Sequence, residues 1–306
     1  MSMNTCKEQC LVCEGKSLEA LCRMASWYGV KMFHKVAICR DCGHIQVYPL
    51  FDEQESAIVN KRFFGKKYLP AGIQNPHNSK KENKLDERLS PYLRAGLNIL
   101  DVGAGEGWAM DYFRKHDCRY FAIEAVARLA ETIRERGGTV IGKSLFDHGE
   151  DYENFFDVVV FRAILEHMLN PLAALSRVQH FLNSSGLVYL SVPNAANFSV
   201  RKGFRTSYLR PVHISYFCGG NVLRLAHSAG LRPVCAQSAD MDVFFLLERG
   251  RDEVPRNHNY YAQQKRYFRE QYRRVFLLDS LHIAKLCTIR IRNRYLSAEG
   301  PNEEND

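Results

Sequence analysis

The 306-residue chain lacks any uninterrupted apolar run near the roughly 18 residues that a membrane-spanning helix needs. It also lacks an N-terminal apolar segment of the export type. Those absences make a cytoplasmic protein the expectation. Cysteine is sparse over most of the chain, because six of the ten (Cys6, Cys10, Cys13, Cys22, Cys39, Cys42) fall within the first 42 residues. A scattered remainder does not build a disulfide framework, and clustered cysteines in a cytosolic chain point to a metal instead. The length suits one sizeable domain and one small one.

What is present begins with Cys10-Leu-Val-Cys13 and, 25 residues on, Cys39-Arg-Asp-Cys42. Two such hooks place four thiolates around a tetrahedral ion, and a closed four-ligand site is structural, not catalytic. Gly15 and Gly43 follow the hooks where a knuckle must turn its amides toward sulfur. Cys10, Cys13, Cys39 and Cys42 are therefore the expected ligands of one structural zinc. Cys6, Cys22, His34 and His44 are read as surface or core residues.

The centre of the sequence is Asn98-Ile-Leu-Asp-Val-Gly-Ala-Gly-Glu-Gly107. An apolar run ends in glycines at alternate positions, and a helical pattern follows. Gly103, Gly105 and Gly107 permit a tight turn and close approach of a ligand, and the following helix offers free N–H groups. The dinucleotide fingerprint G-x-G-x-x-G would put a third glycine where Trp108 stands. The G-x-G-x-G spacing, with Asp101 two residues ahead, resembles motif I of class I S-adenosylmethionine (SAM) dependent methyltransferases. That resemblance implies that Asp101 and the backbone at Gly103 and Gly105 face the methionine part of SAM.

Glu124 closes the next strand, Arg119–Glu124, 17 residues past Gly107. A carboxylate at that strand end accepts ribose hydroxyls, whether of SAM or of NAD. After the helix Ala125–Arg136 and the strand Thr139–Ile141 comes Gly142-Lys-Ser-Leu-Phe-Asp147. In the family this loop contacts adenine, with Asp147, Ser144 and Leu145 as equal candidates. Phe156-Asp-Val-Val-Val-Phe161 reads as a central parallel strand. It runs into Arg162-Ala-Ile-Leu-Glu-His-Met-Leu-Asn-Pro171, an amphipathic helix, and Gly186-Leu-Val-Tyr-Leu-Ser-Val-Pro-Asn194. This order resembles a SAM-methyltransferase group that includes ubiquinone-type O-methyltransferases and sugar methyltransferases. The resemblance spans about residues 95–240, and an N-terminal four-cysteine module recurs in the group.

Ligands of open α/β sheets bind beyond the carboxyl strand ends, so the irregular stretch 195–217 is the expected acceptor pocket. The group carries a His–x–x–x–Phe stretch here, which this chain matches with His213 and Phe217. His213 is the candidate general base, since imidazole titrates near neutrality, or else a hydrogen bond that holds the loop. His167, after Glu166, is the second catalytic candidate; no second set of metal-ligand spacings is evident. Residues 51–95 read as a helical connector, either a lid with Phe63, Phe64 and Tyr68 over the SAM pocket or a solvated linker.

Beyond two closing strands, Leu231–Ala239 and Met241–Glu248 with the last antiparallel, the stretch 256–294 carries ten Lys or Arg and two acids. Its excess of eight equals the net charge of the chain, +8. Tyr260, Tyr261, Tyr267, Phe268 and Tyr272 interleave with those charges. The stretch reads either as a basic helix for an anionic acceptor, an anionic bilayer at the inner membrane face or RNA, or as a helix packed by its aromatic side.

The expected organisation is a zinc module (1–50), a connector (51–95), a Rossmann-like core (96–250) and a basic helical tail (251–306). The core should be a seven-stranded, mostly parallel sheet with helices on both faces. The expected activity is SAM-dependent O-methylation of a sugar hydroxyl, in a nucleotide-sugar or glycan, or of a related small molecule. Sugar C-methylation is a weaker alternative, because the enzymes with that activity carry a larger C-terminal domain. RNA or protein methylation is another, although Asn-Pro-Pro-Tyr-type motifs are lacking. An NAD-dependent oxidoreductase is disfavoured by Trp108.

Overall fold

The structure is a computed structural model that describes residues 8–24, 33–67, 78–147, 151–197, 209–210, 212–238, 242–251 and 259–274. The chain opens with an antiparallel meander, β1 (Leu18–Arg23), β2 (Lys35–Cys39) and β3 (Ile45–Tyr48), followed by helices α1 (Glu53–Lys67) and α2 (Asn78–Leu89). Alternation then begins with β4 (Asn98–Val102), α3 (Met110–Lys115), β5 (Arg119–Ile123), α4 (Ala127–Glu135) and β6 (Thr139–Gly142). It continues through β7 (Phe156–Arg162), α5 (Pro171–Phe181) and β8 (Leu182–Pro193). The two-residue β9 (Ser215–Tyr216), α6 (Gly219–Ser228), β10 (Leu231–Ser238) and β11 (Asp242–Arg249) complete the order.

Seven of these strands form one sheet in the order β10-β11-β8-β7-β4-β5-β6. The pairs from β8 to β6 are parallel, and β11 runs antiparallel to both of its neighbours. This is the expected Rossmann-like sheet. It is apolar on both faces because helices cover both: Phe156 and Val158 to Phe161 of β7 are 0–1 % exposed. Leu175 and Val178 of α5 pack with Val222 and Leu225 of α6 over one face. Leu89 of α2, Met110 and Phe113 of α3 and Ile133 of α4 pack over the other. Each such aliphatic side chain stabilises the fold by roughly 1.5–3 kcal/mol through burial. The Asn170-Pro171 pair starts α5, where the Asn170 side chain accepts the N–H of Ala173 at 2.9 Å and proline occupies the first turn.

The chain builds β4, β5 and β6 outward on one side, then returns to lay β7 against the other side of β4. The carboxyl ends of β4 and β7 thus flank the point where strand order reverses, the place where such sheets bind ligands.

The N-terminal meander is not closed on itself. Its sheet has the order β1-β2-β3-β9, and the fourth strand comes from residues 215–216 of the core. Part of the expected acceptor stretch is therefore a structural partner of the cysteine module. The sequence hid this because a two-residue strand has no periodicity of its own.

Candidate functional site

The loop after β4 turns through three left-handed glycines, with φ of 68° at Gly103, 61° at Gly105 and 69° at Gly107. A β-carbon at Gly103 would stand 2.5 Å from Ile164 Cδ1, and one at Gly107 would stand 3.1 Å from Ile133 Cγ1. Those two glycines make room for protein side chains, a role not foreseen beside close ligand approach. The Gly105 N–H donates to Glu124 Oε2 at 2.8 Å, and the Val126 N–H donates to Glu124 Oε1 at 2.8 Å. Glu124 thereby ties the loop to the start of α4, and burial raises its pKa. Each carboxylate oxygen has a further lone pair, so the side chain retains acceptors for a ribose.

Asp101 is 2 % exposed and accepts the Tyr120 hydroxyl at 2.8 Å. Burial raises its pKa to about 7. Trp108 lies under a guanidinium, with Arg162 Cζ 4.3 Å from the ring centroid. In the loop after β6, Asp147 Oδ2 accepts the N–H groups of Lys143 and Ser144 at 2.9 and 2.8 Å. The Ser144 hydroxyl accepts the Phe146 N–H at 3.2 Å, while Leu145 is buried in the core. Asp147 and Ser144 shape their own loop.

The other half of the site follows β7. Ala163 adopts φ +51° and donates its N–H to Ser191 O, and a single 3-10 turn, Leu165–His167, comes next. Glu166, His167 and His213 converge there, with one ligand atom from each within 4.8 Å of the others. The His167 and His213 ring centroids are 5.0 Å apart. His167 Nδ1 lies 2.7 Å from Val212 O, and a carbonyl only accepts, so Nδ1 carries the proton and Nε2 faces Glu166 Oε1 at 3.9 Å. The Ile214 N–H donates to Glu166 O at 2.8 Å, which pins the two segments together.

Glu166 is 2 % exposed, and neither carboxylate oxygen has a hydrogen-bond partner among the described residues. Burial raises its pKa to about 8. An acid and two imidazoles so placed can relay a proton or hold a cation. Sequence reasoning singled out both histidines but missed Glu166 as a site residue. The available signal was a carboxylate beside a histidine in one turn.

The four hook cysteines also converge. Cys10 Sγ lies 3.6 Å from Cys42 Sγ and Cys13 Sγ lies 3.6 Å from Cys39 Sγ, and all four sulfurs fall within 4.8 Å of one another. Disulfide sulfurs would be at about 2.05 Å, whereas tetrahedral thiolates at about 2.3 Å from zinc sit roughly 3.8 Å apart. Hydrogen bonds from neighbouring thiols, Cys10 first, bring Cys39 down to about 6. Hydrogen bonding to Cys13 and burial push Cys10 up. Such a cluster holds four thiolates together only around a cation. His44 is fully buried and touches Ser215 Oγ at 3.3 Å, and His34 bonds Pro49 O, so both are core residues as expected. Cys6 lies outside the described residues.

The module grips the second half of the site directly. The Asn221 side chain of α6 donates to Cys42 O at 3.2 Å. The Val47 N–H of β3 donates to Ile214 O at 2.9 Å, next to His213. The buried Gln46 accepts the Leu11 N–H and donates to Gln9 O, fastening the first knuckle to the same strand. Phe63 packs against the module's cluster, which includes Val212 and Ile214. The Phe64 side chain and Tyr68 lie outside the described residues.

Residues 261–274 are helical and lay Phe268, Tyr261, Tyr267 and Tyr272 against the module's core. Tyr260 wedges between two glycines, since a β-carbon at Gly43 would meet its backbone at 2.5 Å and one at Gly220 its ring at 2.1 Å. Tyr261 and Lys265 bond Glu19, Lys265 at 2.8 Å. The aromatic side faces protein, while Arg266, Arg269, Arg273 and Arg274 remain exposed.

A family model described as a methyltransferase domain matches residues 78–236, 159 of the 306 residues. The ubiquinone biosynthesis O-methyltransferase of Xylella fastidiosa is 25 % identical over 131 residues, 41 % of this chain and 53 % of that protein. The chain thus spans about half the length of the curated relatives it matches. Among solved structures, the 1,6-didemethyltoxoflavin-N1-methyltransferase of Burkholderia thailandensis, with 1,6-didemethyltoxoflavin and S-adenosylhomocysteine bound, superposes with a TM-score of 0.50. It shows 19 % identity, covering 74 % of this chain and all of that one. Among the described residues no helix is long and apolar enough to cross a membrane.

Proposed function

The chain belongs to the methyltransferase domain family, and on that premise we propose that it methylates a hydroxyl of a small molecule, using SAM as donor. The acceptor class we favour is a sugar hydroxyl, in a nucleotide-sugar or glycan. The observation that carries this reading is the meeting of two halves at the sheet's reversal point. Asp101, the glycine loop and Glu124 stand on the β4–β5 side, and Glu166, His167 and His213 stand beyond β7. A relative that acts in ubiquinone biosynthesis and a solved structure that holds 1,6-didemethyltoxoflavin support a small-molecule acceptor.

When bound, the sulfonium donor supplies a methyl group that is already electrophilic. The chain's task is then positioning and proton removal. Glu124 takes the ribose and Asp101 the ammonium of the donor's amino-acid end, while the 142–147 loop lies along its base. His213 Nε2 or Nδ1 removes the acceptor's hydroxyl proton, and the buried Glu166 and His167 steady the resulting imidazolium. A sugar hydroxyl is weakly acidic and needs this base. The four cysteines would hold a structural zinc, to which their sulfur spacing is suited, and that ion would give the module folding free energy without touching the reaction. The exposed arginines of the 261–274 helix would draw an anionic acceptor toward the protein.

Titration of the full chain with SAM and with NAD, followed by mass spectrometry after labelled SAM is mixed with an extract of the native organism, tests the reading. SAM binding and a product heavier by one methyl group are expected. Binding of NAD alone would overturn it.

A further inference from the structure

Two arginines lie on the face of the sheet covered by α2 and α3, and they differ in one respect. Arg88 is spent: its Nη1 donates to Tyr189 Oη at 3.2 Å and to Asp242 Oδ2 at 3.1 Å, its Nε donates to Gln237 Oε1 at 3.4 Å, and it stacks on Phe244. Arg162 also stacks on an aromatic ring, at 4.3 Å over Trp108, yet makes no hydrogen bond and no ion pair within 4 Å with any described residue. Asp101 and Asp242 attract it only over longer range. A guanidinium carries five N–H donors in a fixed fork, and keeping that fork largely from water without an acceptor is unfavourable. The stack on Trp108 fixes the plane of the fork, so its donors point in a set direction.

Position says what the fork is for. Arg162 is the last residue of β7, at the carboxyl edge of the sheet. Asp101 pairs with Val160 across β4 and β7, so Asp101 and Arg162 share a face and sit one pair apart. Trp108 directly follows the glycine loop. An acid and a guanidinium side by side, neither neutralised by the other, complement a ligand that carries an ammonium and a carboxylate on one carbon. We propose that Arg162 is the receptor for the carboxylate of the methyl donor's amino-acid end, opposite Asp101 and backed by Trp108. The assignment rests on the donor reading given above. It adds a residue that the glycine motif does not contain, and it makes recognition of the donor's zwitterion depend on a side chain two strands from Glu124.

The test is calorimetric titration of the full chain with S-adenosylhomocysteine and with its decarboxylated analogue. Arg162→Met keeps the length and apolar stem of the side chain and removes the fork; Arg162→Lys keeps the charge and loses the two-pronged geometry. Loss of a charge-assisted pair of hydrogen bonds predicts roughly 10- to 100-fold weaker binding of S-adenosylhomocysteine by Arg162→Met, with a smaller loss in Arg162→Lys. Affinity for the decarboxylated analogue should match the unsubstituted protein in both variants. S-adenosylhomocysteine affinity within twofold in Arg162→Met would overturn the assignment while leaving the donor reading intact. Equal losses for both ligands would also overturn it, as a packing effect around Trp108. Failure of the unsubstituted chain to bind either ligand would overturn the donor reading and this assignment together.

Discussion

The glycine-loop half of the site is drawn from one contiguous stretch, Asp101 to Glu124, and its two acids bond groups in or next to that stretch, Tyr120, Gly105 and Val126. The Glu166–His167–His213 half joins residues 46 positions apart and is held by a strand of the cysteine module. One half is a local motif that a strand, a turn and a helix produce by themselves. The other exists only when the N-terminal module, α6 and the turn after β7 are all in place. Donor binding and methyl transfer should therefore fail separately, and four experiments press on that division.

The largest effect belongs to His213→Ala. Loss of a general base predicts a fall in turnover of ~10²- to 10⁴-fold with S-adenosylhomocysteine affinity unchanged in calorimetry. Turnover equal to that of the unsubstituted protein would reduce His213 to a loop support. Next comes removal of the metal with a chelator, or Cys39→Ser. The module's fold should be lost by circular dichroism and limited proteolysis, and displacement of His213 should cost turnover on the order of 100-fold. Donor affinity should move by less than threefold, and a parallel loss of donor binding would erase the division between the halves.

Glu124→Gln acts on the opposite half. Its carboxylate oxygens accept the N–H groups of Gly105 and Val126, and the amide can accept only one of them. Donor affinity should drop about 10-fold, with turnover at saturating donor nearly kept. The smallest effect is on stability against pH. Asp101 and Glu166 are raised to about 7 and about 8 from 3.8 and 4.5. Folded protein thus holds protons that the unfolded chain has released, so their contribution is whole below the unfolded values and is lost as pH rises through the folded ones. The melting temperature should fall between pH 5 and pH 8, and Asp101→Asn with Glu166→Gln should flatten that slope. An unchanged slope would mean that other groups govern it.

The legible parts of this chain share a physical cause. Gly103, Asp101 and Glu124 could be read because a buried strand, a left-handed turn and a strand-end carboxylate each leave a local signature within 24 residues. The paired cysteine hooks were equally readable, since their spacing is set by the geometry of a knuckle, and their sulfurs do converge. The 51–95 connector left a lid and a solvated linker both open, because amphipathic spacing shows that a residue is buried without showing against what; Phe63 packs against the cluster that holds Val212 and Ile214. The aromatic side of the 261–274 helix left both readings open for the same reason, and the structure places it against protein. Tyr260 shows this most sharply: Gly43 and Gly220 are 177 residues apart, and both lack a side chain where its backbone and ring must fit.

By itself, the amino-acid sequence determined the alternating strands and helices, the glycine turn and the two cysteine hooks, because each follows from short-range sterics, hydrogen bonding and apolar periodicity. Tertiary structure alone decided that Ser215–Tyr216 completes the module's sheet, that Glu166 joins two histidines in one cluster and that Arg162 stacks on Trp108 on the face that carries Asp101, with no hydrogen-bond partner among the described residues. Those placements depend on long-range packing, and packing selects among contacts that no local pattern can rank.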